Sequence, residues 1–315
     1  MKAIVLNQAG SVDNLILTEV ALPTIKSNEV LVQVKAIGIN PVDVKSRAYE
    51  GVKQWIFGKK DAVILGWDIA GVVIELGSEV TKFKIGDKVS GMINFFGVGD
   101  GYAEYVGAYA THLSLVPPNV TLKEGAAIAM VGSTAYQALV DVAKVKQGDK
   151  VLVHAASGGV GHIAVQIAKA KGAHVIGTSS AKNKAFVMSL GADEHIDYTS
   201  EQLVDKVEAV DVVIDTIQGD TLLESIKVVK QGGMIVTLPS PEISEEVLAL
   251  AKECEVSIVF MMVESKEVTV EAVAQLMSEG LVKVHINEEF SFEDMAKAHL
   301  TVETNRVVGK VVVTL

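Results

Sequence analysis

The stretch Ala156-Ser157-Gly158-Gly159-Val160-Gly161 is where residue type and spacing first suggest chemistry. A short apolar run, Val151–Val153, precedes it and reads as a buried strand. A helical pattern, His162–Lys171, follows, with Lys169 and Lys171 in its last turn and Gly172 just beyond. A second apolar run, Ala173–Gly177, closes the unit. Strand, tight turn, helix and strand within about 30 residues make a βαβ unit of the dinucleotide-binding kind. The helix start leaves backbone N–H groups unpaired and carries about half a positive charge, so a pyrophosphate placed there meets donors and a favourable field together. Side chains at Gly158 and Gly159 would hold phosphates away, and Gly161 lets helix and strand approach closely. The pattern is A-x-G-x-x-G rather than the full G-x-G-x-x-G. Alone it is a weak signal; between a strand and a helix it is a specific one. A glycine turn in some other α/β protein would leave residues 178–198 unexplained.

Those residues bear on which dinucleotide binds. Sites selective for NAD place an Asp or Glu ~20 residues beyond the first glycine, on the ribose 2′-hydroxyl. Here that position holds Thr178-Ser179-Ser180, and no acid follows until Asp193. Lys182 and Lys184 come next. Hydroxyls and an ammonium suit a 2′-phosphate, which an acid would repel, so NADPH is the expected cofactor. The competing explanation is that both lysines only solvate a helix start, where they oppose the helix dipole.

The elements that position this turn can be read on both sides of it. Residues 122–265 alternate strand and helix: Lys184–Leu190, Glu201–Val207, Thr221–Val229 and Ser244–Cys254 as helices; His195–Ile196, Val210–Asp215, Met234–Leu238 and Val256–Val263 as strands. That alternation predicts a doubly wound parallel sheet with ligands beyond its C-terminal strand ends. Leu122–Val142 reads as a helix leading into it. Residues 1–121 are β-rich, with strands at Lys2–Leu6, Glu29–Ile39, Ala70–Leu76 and Lys88–Met92, spaced as in a small barrel. Residues 266–315 hold two helical stretches, Thr269–Glu279 and Phe292–Thr304, and a last strand, Val307–Val313, expected to fold back onto the β-rich part. The expected domains are therefore 1–121 with 266–315, and 122–265.

Bulk properties narrow the function classes. The chain has 315 residues, 49% of them hydrophobic, a length that allows two domains with substantial cores. No apolar run approaches the ~18–20 residues needed to cross a bilayer, and the N-terminus lacks a secretory pattern. Cys254 is the only cysteine, which excludes an intrachain disulfide and suits a reducing cytoplasm. A net charge of −11 without a basic cluster argues against nucleic acid or an anionic membrane as partner. The apolar strand Val256–Val263 would form a sheet edge and points to a homodimer.

Several further stretches together resemble one family. They are Gly38-Ile39-Asn40-Pro41-Val42-Asp43-Val44-Lys45, Gly66-Trp67-Asp68-Ile69-Ala70-Gly71, Gly86-Asp87-Lys88-Val89, Gly101-Tyr102-Ala103-Glu104-Tyr105-Val106, Thr134-Ala135-Tyr136, the nucleotide turn, Leu190-Gly191-Ala192-Asp193, Gly232-Gly233 and Val308-Gly309-Lys310-Val311-Val312. In this order they resemble the zinc-free quinone oxidoreductase and enone reductase branch of the medium-chain dehydrogenase/reductase superfamily, over nearly the whole chain. The resemblance implies an α/β Rossmann domain inserted in a GroES-like β-barrel domain, an active cleft between them, and reduction of quinones or α,β-unsaturated carbonyls with NADPH. It implies cofactor contacts at Thr134, at Ser157, Gly158, Gly159 and Val160, and at Ser180, Lys182 and Tyr198, with Ser179 adjoining. It also implies Leu238, Pro239 and Ser240, and Phe260, Met261 and Met262, as strand ends flanking the nicotinamide. Lys45 matches the lysine of the N-P-x-D-x-K variant of enone reductases. Tyr49 stands near, but not aligned with, a tyrosine that follows an R-S-G segment in related enzymes, and Arg306 lies near a cofactor-contacting arginine.

Zinc-dependent relatives carry a cysteine in the first of these motifs and a His-Glu pair in the second. This chain has Asn40 and Asp43, then Trp67-Asp68, and a single cysteine, so no metal site is expected. The seven histidines show no ligand spacing; His154 is expected to contribute backbone alone. Without a metal, removing the high-pKa proton of an alcohol is disfavoured, whereas quinones and enones accept hydride with little activation. The anion that results needs a donor and a proton, for which Asn40, Lys45 and Tyr49 are candidates, with solvent as rival. Turn chemistry around Pro41 explains Asn40 and Asp43 equally well, and Asp68 reads as a structural residue. Trp55, Phe57, Phe95 and Phe96 suit a planar acceptor or ordinary core packing. An enoyl-thioester reductase of the same superfamily, or a dinucleotide-binding protein with little turnover, are the alternatives.

Overall fold

The computed structural model describes residues 1–315, which form two compact units. One comprises Met1–Ser133, Val263–Gly280 and Val284–Leu315; the other Thr134–Met262 and Leu281–Lys283. The division at Ser133/Thr134 falls inside a helix that the sequence reading assigned whole to the second unit.

The first unit opens with β1 (Lys2–Leu6), β2 (Leu15–Glu19) and β3 (Glu29–Ile39), then α1 (Pro41–Ala48) and α2 (Glu50–Phe57). It continues through β4 (Val63–Ile64), β5 (Asp68–Leu76), β6 (Lys88–Met92), β7 (Tyr105–Tyr109) and β8 (Ser114–Leu115) to α3 (Leu122–Tyr136). Strands β2-β1-β4 make a small antiparallel sheet. The 11-residue β3 is the spine of the larger sheet: it pairs with β5 along its length and with β7 near its start. Nearly all of its residues are buried, so it shows none of the alternation of a half-exposed strand such as β7. Pro41 starts α1 where its missing N–H costs nothing.

The second unit holds the nucleotide turn. After a π-helical segment, Gln137–Val142, come β9 (Lys150–Val153), α4 (Gly159–Ala170), β10 (His174–Ser179), α5 (Lys184–Ser189) and β11 (Glu194–Asp197). Then follow α6 (Leu203–Lys206), β12 (Val210–Asp215), α7 (Asp220–Ile226), β13 (Val229–Thr237), α8 (Glu245–Glu253) and β14 (Ser257–Phe260). The sheet is parallel throughout, in the order β11-β10-β9-β12-β13-β14. Strand order reverses between β9 and β12, the switch point at which such sheets bind ligands. Leu152, Ile176, Val213, Leu222, Ile226, Ile235 and Val247 belong to one core cluster. β14 is an edge strand, as its sequence position suggested. β13 starts at Val229, where the sequence pattern continued a helix; the register against β12 shifts between Val210 and Val212.

The chain then rejoins the first unit through α9 (Glu267–Ser278), β15 (Ile286–Ser291), α10 (Met295–Glu303) and β16 (Lys310–Thr314). β16 pairs antiparallel with β3, Val311 opposite Ile39 and Thr314 opposite Ala36, and parallel with β15. The larger sheet thus runs β15-β16-β3-β5-β6-β8. The last strand does fold back onto the β-rich unit.

His154, directly after β9, contributes more than backbone. Its Nε2 lies 2.8 Å from Ser225 Oγ and its Nδ1 3.2 Å from Thr178 Oγ1. Ser225 donates to the Thr221 carbonyl, so His154 donates to Ser225 and accepts from Thr178 as a neutral ring. Burial pushes its pKa down from 6.5 to about 4. A depressed folded-state value means stability is fully present above pH 6.5 and is lost as the pH falls toward 4, by about 3 kcal/mol at most. The urea midpoint of His154→Gln is therefore expected to depend less steeply on pH between 6.5 and 4 than that of the parent; parallel profiles would refute this.

Candidate active site

The turn after β9 is built as the sequence required. Ala155 takes a left-handed φ of 44°, a strained setting for a residue with a side chain. The Gly158 amide donates to the Ala155 carbonyl at 2.8 Å, and the Ala156 amide to the Thr178 carbonyl at 2.8 Å. A Cβ on Gly161 would overlap the Ala155 carbonyl oxygen, so only glycine lets α4 start this close to β9. Gly158 is the N-cap, and no side chain caps the helix. The first-turn amides of α4 are left without side-chain acceptors, a cradle suited to an anion.

Neighbouring strand ends lie in register beside this turn. Thr178 at the end of β10 pairs with Ile196 of β11, and Ser179 with Asp197. Asp215 of β12 pairs with Thr237 of β13, and Thr237 with Phe260 of β14. Ser157, Gly158, Gly159 and Val160 follow β9; Ser179 and Ser180 stand at the end of β10; Tyr198 follows β11 and is 66% exposed. Leu238, Pro239 and Ser240 follow β13; Phe260 ends β14, and Met261 and Met262 follow it. Residues scattered over a hundred positions of sequence thus fall along one C-terminal sheet edge. Thr134 lies apart from these loops in sequence, buried near the end of α3.

The β10 end carries no carboxylate. Ser180 caps a 3-10 turn, Ala181–Asn183, with Lys182 and Lys184 exposed beside it. Asn183 Nδ2 donates to Ser157 Oγ at 3.0 Å and ties this turn to the glycine turn. Asp193, the first acid downstream, is engaged elsewhere: Lys169 Nζ stands 2.8 Å from its Oδ2, and the Val175 amide donates to it at 2.7 Å. Asn183, in the turn after β10, and His195, on β11, contact Ser157 and Ser179 and are not among the residues singled out from sequence.

The first unit contains a buried polar cluster around the start of α1. Asn40 is 1% exposed, and its side chain is occupied at both ends. Its Nδ2 donates to Asp68 Oδ2 at 2.9 Å, and its Oδ1 accepts from Lys310 Nζ. Asp43 Oδ2 accepts from the Asn40 amide at 2.8 Å and closes the first turn of α1. Lys310, on β16, also donates to the Ile39 carbonyl at 2.7 Å and lies 4.0 Å from Asp68. Burial pushes Asp43 up to about 7 and Asp68 up to about 6, and the same burial lowers Lys310. Tyr102 contacts Asp43 and lies 3.0 Å from His299 Nε2; burial drives the tyrosine pKa up and lowers that of His299 to about 3. Lys45 and Tyr49, by contrast, are exposed, Tyr49 by 64%. Phe57, Trp67 and Phe95 are core residues, whereas Trp55 and Phe96 pack against each other with centroids 4.3 Å apart and planes tilted by 50°, and are 62% and 38% exposed.

A Rossmann-type sheet with an uncapped glycine turn, in a chain whose other unit is a largely antiparallel β structure, is the architecture of a dinucleotide-binding protein. Two family models match: the alcohol dehydrogenase GroES-like domain over residues 26–118 and the zinc-binding dehydrogenase over residues 190–313. The chain is 31% identical to a quinone oxidoreductase of Homo sapiens, covering 95% of this chain and 92% of that protein. It is 34% identical to a 2-methylene-furan-3-one reductase of Solanum lycopersicum, covering 99% and 79%. A match of 41% identity to a chloroplastic quinone-oxidoreductase homolog of Spinacia oleracea covers 61% of this chain and spans only 59% of that relative. Among solved structures, the quinone oxidoreductase from Coxiella burnetii superposes with a TM-score of 0.91 at 36% identity, covering 100% and 99% of the two chains. The chain belongs to the quinone oxidoreductase and enone reductase branch of the medium-chain dehydrogenase/reductase superfamily. It is an oxidoreductase with a nicotinamide-dinucleotide domain and a small-molecule substrate.

Proposed function

We propose that this protein is an NADPH-dependent, zinc-independent reductase of quinones or α,β-unsaturated carbonyls. The observation that carries the reading is the end of β10, where Ser179, Ser180 and Lys182 stand in place of an acid, beside the uncapped first turn of α4. Bound NADPH supplies hydride equivalents to an electrophilic acceptor. The pyrophosphate rests on Ser157, Gly158, Gly159 and Val160. Ser179, Ser180, Lys182 and Tyr198 hold the ribose phosphate; Thr134, Leu238–Ser240 and Phe260–Met262 border the nicotinamide end. Lys45 and Tyr49 are the exposed donors available to the anion formed on the acceptor. Asn40, held between Asp68 and Lys310, fixes the start of α1 on which Lys45 is carried. Trp55 and Phe96 offer exposed rings in mutual contact, suited to a planar acceptor.

The donor set does not fit zinc. Cys254 is the one cysteine, and His, Cys, Asp and Glu side chains nowhere gather in threes as a metal site needs. The acids of the first motifs, Asp43 and Asp68, already accept from Asn40, and Asp68 lies 4.0 Å from the Lys310 ammonium. No helix is long and apolar enough to cross a membrane. A cytoplasmic homodimer joined through the β14 edge completes the reading.

The test is direct. Purified protein mixed with NADPH and 1,4-benzoquinone or an alkenal should consume the nicotinamide absorbance, with chelator present. Lys45→Ala and Tyr49→Phe should lower kcat on the enal more than on the quinone, whose reduced form is protonated readily by solvent. Tight NADPH binding without oxidation by either acceptor would favour a binding protein instead; oxidation of simple alcohols in its place would refute the reading.

A further inference from the structure

His195 is the second residue of β11, in register with Gly177 of β10, and its side chain reaches forward to Ser179; the reading above has no role for it. Its Nε2 is 2.8 Å from Ser179 Oγ. Ser179 Oγ in turn lies 3.2 Å from the Ser180 carbonyl, to which it donates. The imidazole therefore donates from Nε2, and its Nδ1 is the basic nitrogen, with no partner among the protein's groups. The ring is neither core nor free surface: it is half-buried, fixed by one hydrogen bond, and adjoins the serine pair expected at the adenosine ribose.

We propose that His195 belongs to the 2′-phosphate subsite and takes up a proton at Nδ1 when a nucleoside 2′-phosphate binds. This deepens the NADPH reading and rests on it. The charged groups facing the ring are few. Lys184 at the start of α5 is cationic; Asp197, on the same strand, and Glu201, in the loop beyond, are anionic; β10 presents only the Ser179 hydroxyl. In the ligand-free protein burial disfavours the imidazolium, and Lys184 does so further. A dianionic phosphate near Ser179 and Ser180 reverses that balance, because it neutralises the Lys184 field and pairs with the new cation. By linkage, a ring that is more basic in the complex than in the free protein tightens binding as the pH falls. A ligand with a free 2′-hydroxyl offers no such charge. The arrangement therefore makes the preference for NADPH over NADH pH-dependent.

The experiment is a titration of the full-length protein with NADPH and with NADH at pH 8 and pH 6.5, followed by nicotinamide fluorescence, with calorimetry in buffers of different ionisation enthalpy to count protons. In the parent, NADPH affinity should rise about threefold to tenfold from pH 8 to pH 6.5, with net proton uptake, while NADH affinity stays level. His195→Gln and His195→Val should both lose most of that rise and the His-dependent proton uptake. The ligand's own second phosphate ionisation, near 6, is shared by all three proteins and drops out of the comparison. Equal pH profiles for parent and variants, with NADPH still preferred, would overturn the role of His195 and leave the NADPH reading standing. Tighter binding of NADH than NADPH by the parent at both pH values would overturn both.

Discussion

Replacing Lys310 by methionine is expected to lower the free energy of unfolding by about 3–5 kcal/mol at pH 8. The lysine is 3% exposed, and its ammonium is the only cation set among Asn40, Asp43 and Asp68. Methionine matches its length but leaves one acceptor on Asn40 and the Ile39 carbonyl without their donor, and two fully buried carboxyls without the cation beside them. The sign of the pH effect follows from the carboxyls. Asp43 titrates near 7 and Asp68 near 6 in the folded protein, both above the ordinary 3.8, because burial disfavours their charge. A raised folded-state value contributes stability that is present at low pH and is lost as the pH rises through it. The deficit of Lys310→Met should therefore be largest at pH 8 and shrink toward pH 5, where the folded protein holds those protons. Asp68→Asn added to Lys310→Met should recover part of the loss, since one buried charge then disappears. Urea denaturation at both pH values measures all of this. A loss below about 1 kcal/mol at pH 8, or one independent of pH, would show that water reaches the cluster and screens it.

How much of this could be read in advance differs between the two units. In the second, β9, β10 and β12 are short and mostly buried runs, and they fall within a residue or two of their sequence-read limits. The glycine turn and the strand ends around it were legible for the same reason, since both are local features. In the first unit β2 is almost wholly exposed, and β4 and β8 are two residues long, so no hydrophobic pattern marks them. α1 and α2 hide in mixed polar sequence, although Asn40-Pro41 is a helix-start signal that could have been used. The polar cluster was invisible because its members come from positions 40, 43, 68, 102, 299 and 310 and meet only when β16 pairs with β3. Asn40 illustrates the cost. As a letter it is a candidate donor; in the fold both ends of its amide are already bonded. His195 shows the opposite case: as a letter it is one strand residue among others, and in the fold its ring reaches Ser179 at the end of β10.

Reversing charge at Lys182 is expected to separate the two dinucleotides. Lys182 is exposed on the turn after β10, where Ser180 is the N-cap, so Lys182→Glu should fold as the parent does. In the parent, an ammonium near a 2′-phosphate forms a charge-assisted contact of about 1.5–3 kcal/mol. In the variant that contact becomes a repulsion. NADPH affinity should fall about 100-fold or more, whereas NADH, with only a hydroxyl there, should change by less than about threefold. Ser180→Asp should go further and raise NADH affinity, because a carboxylate at this strand end can accept from both ribose hydroxyls. Raising the salt concentration should weaken NADPH binding to the parent more than to Lys182→Glu, since the attraction being screened is present only in the parent. An equal loss for both nucleotides would mean that Lys182 serves the shared part of the cofactor, and the serines at the end of β10 would then have no phosphate to explain them.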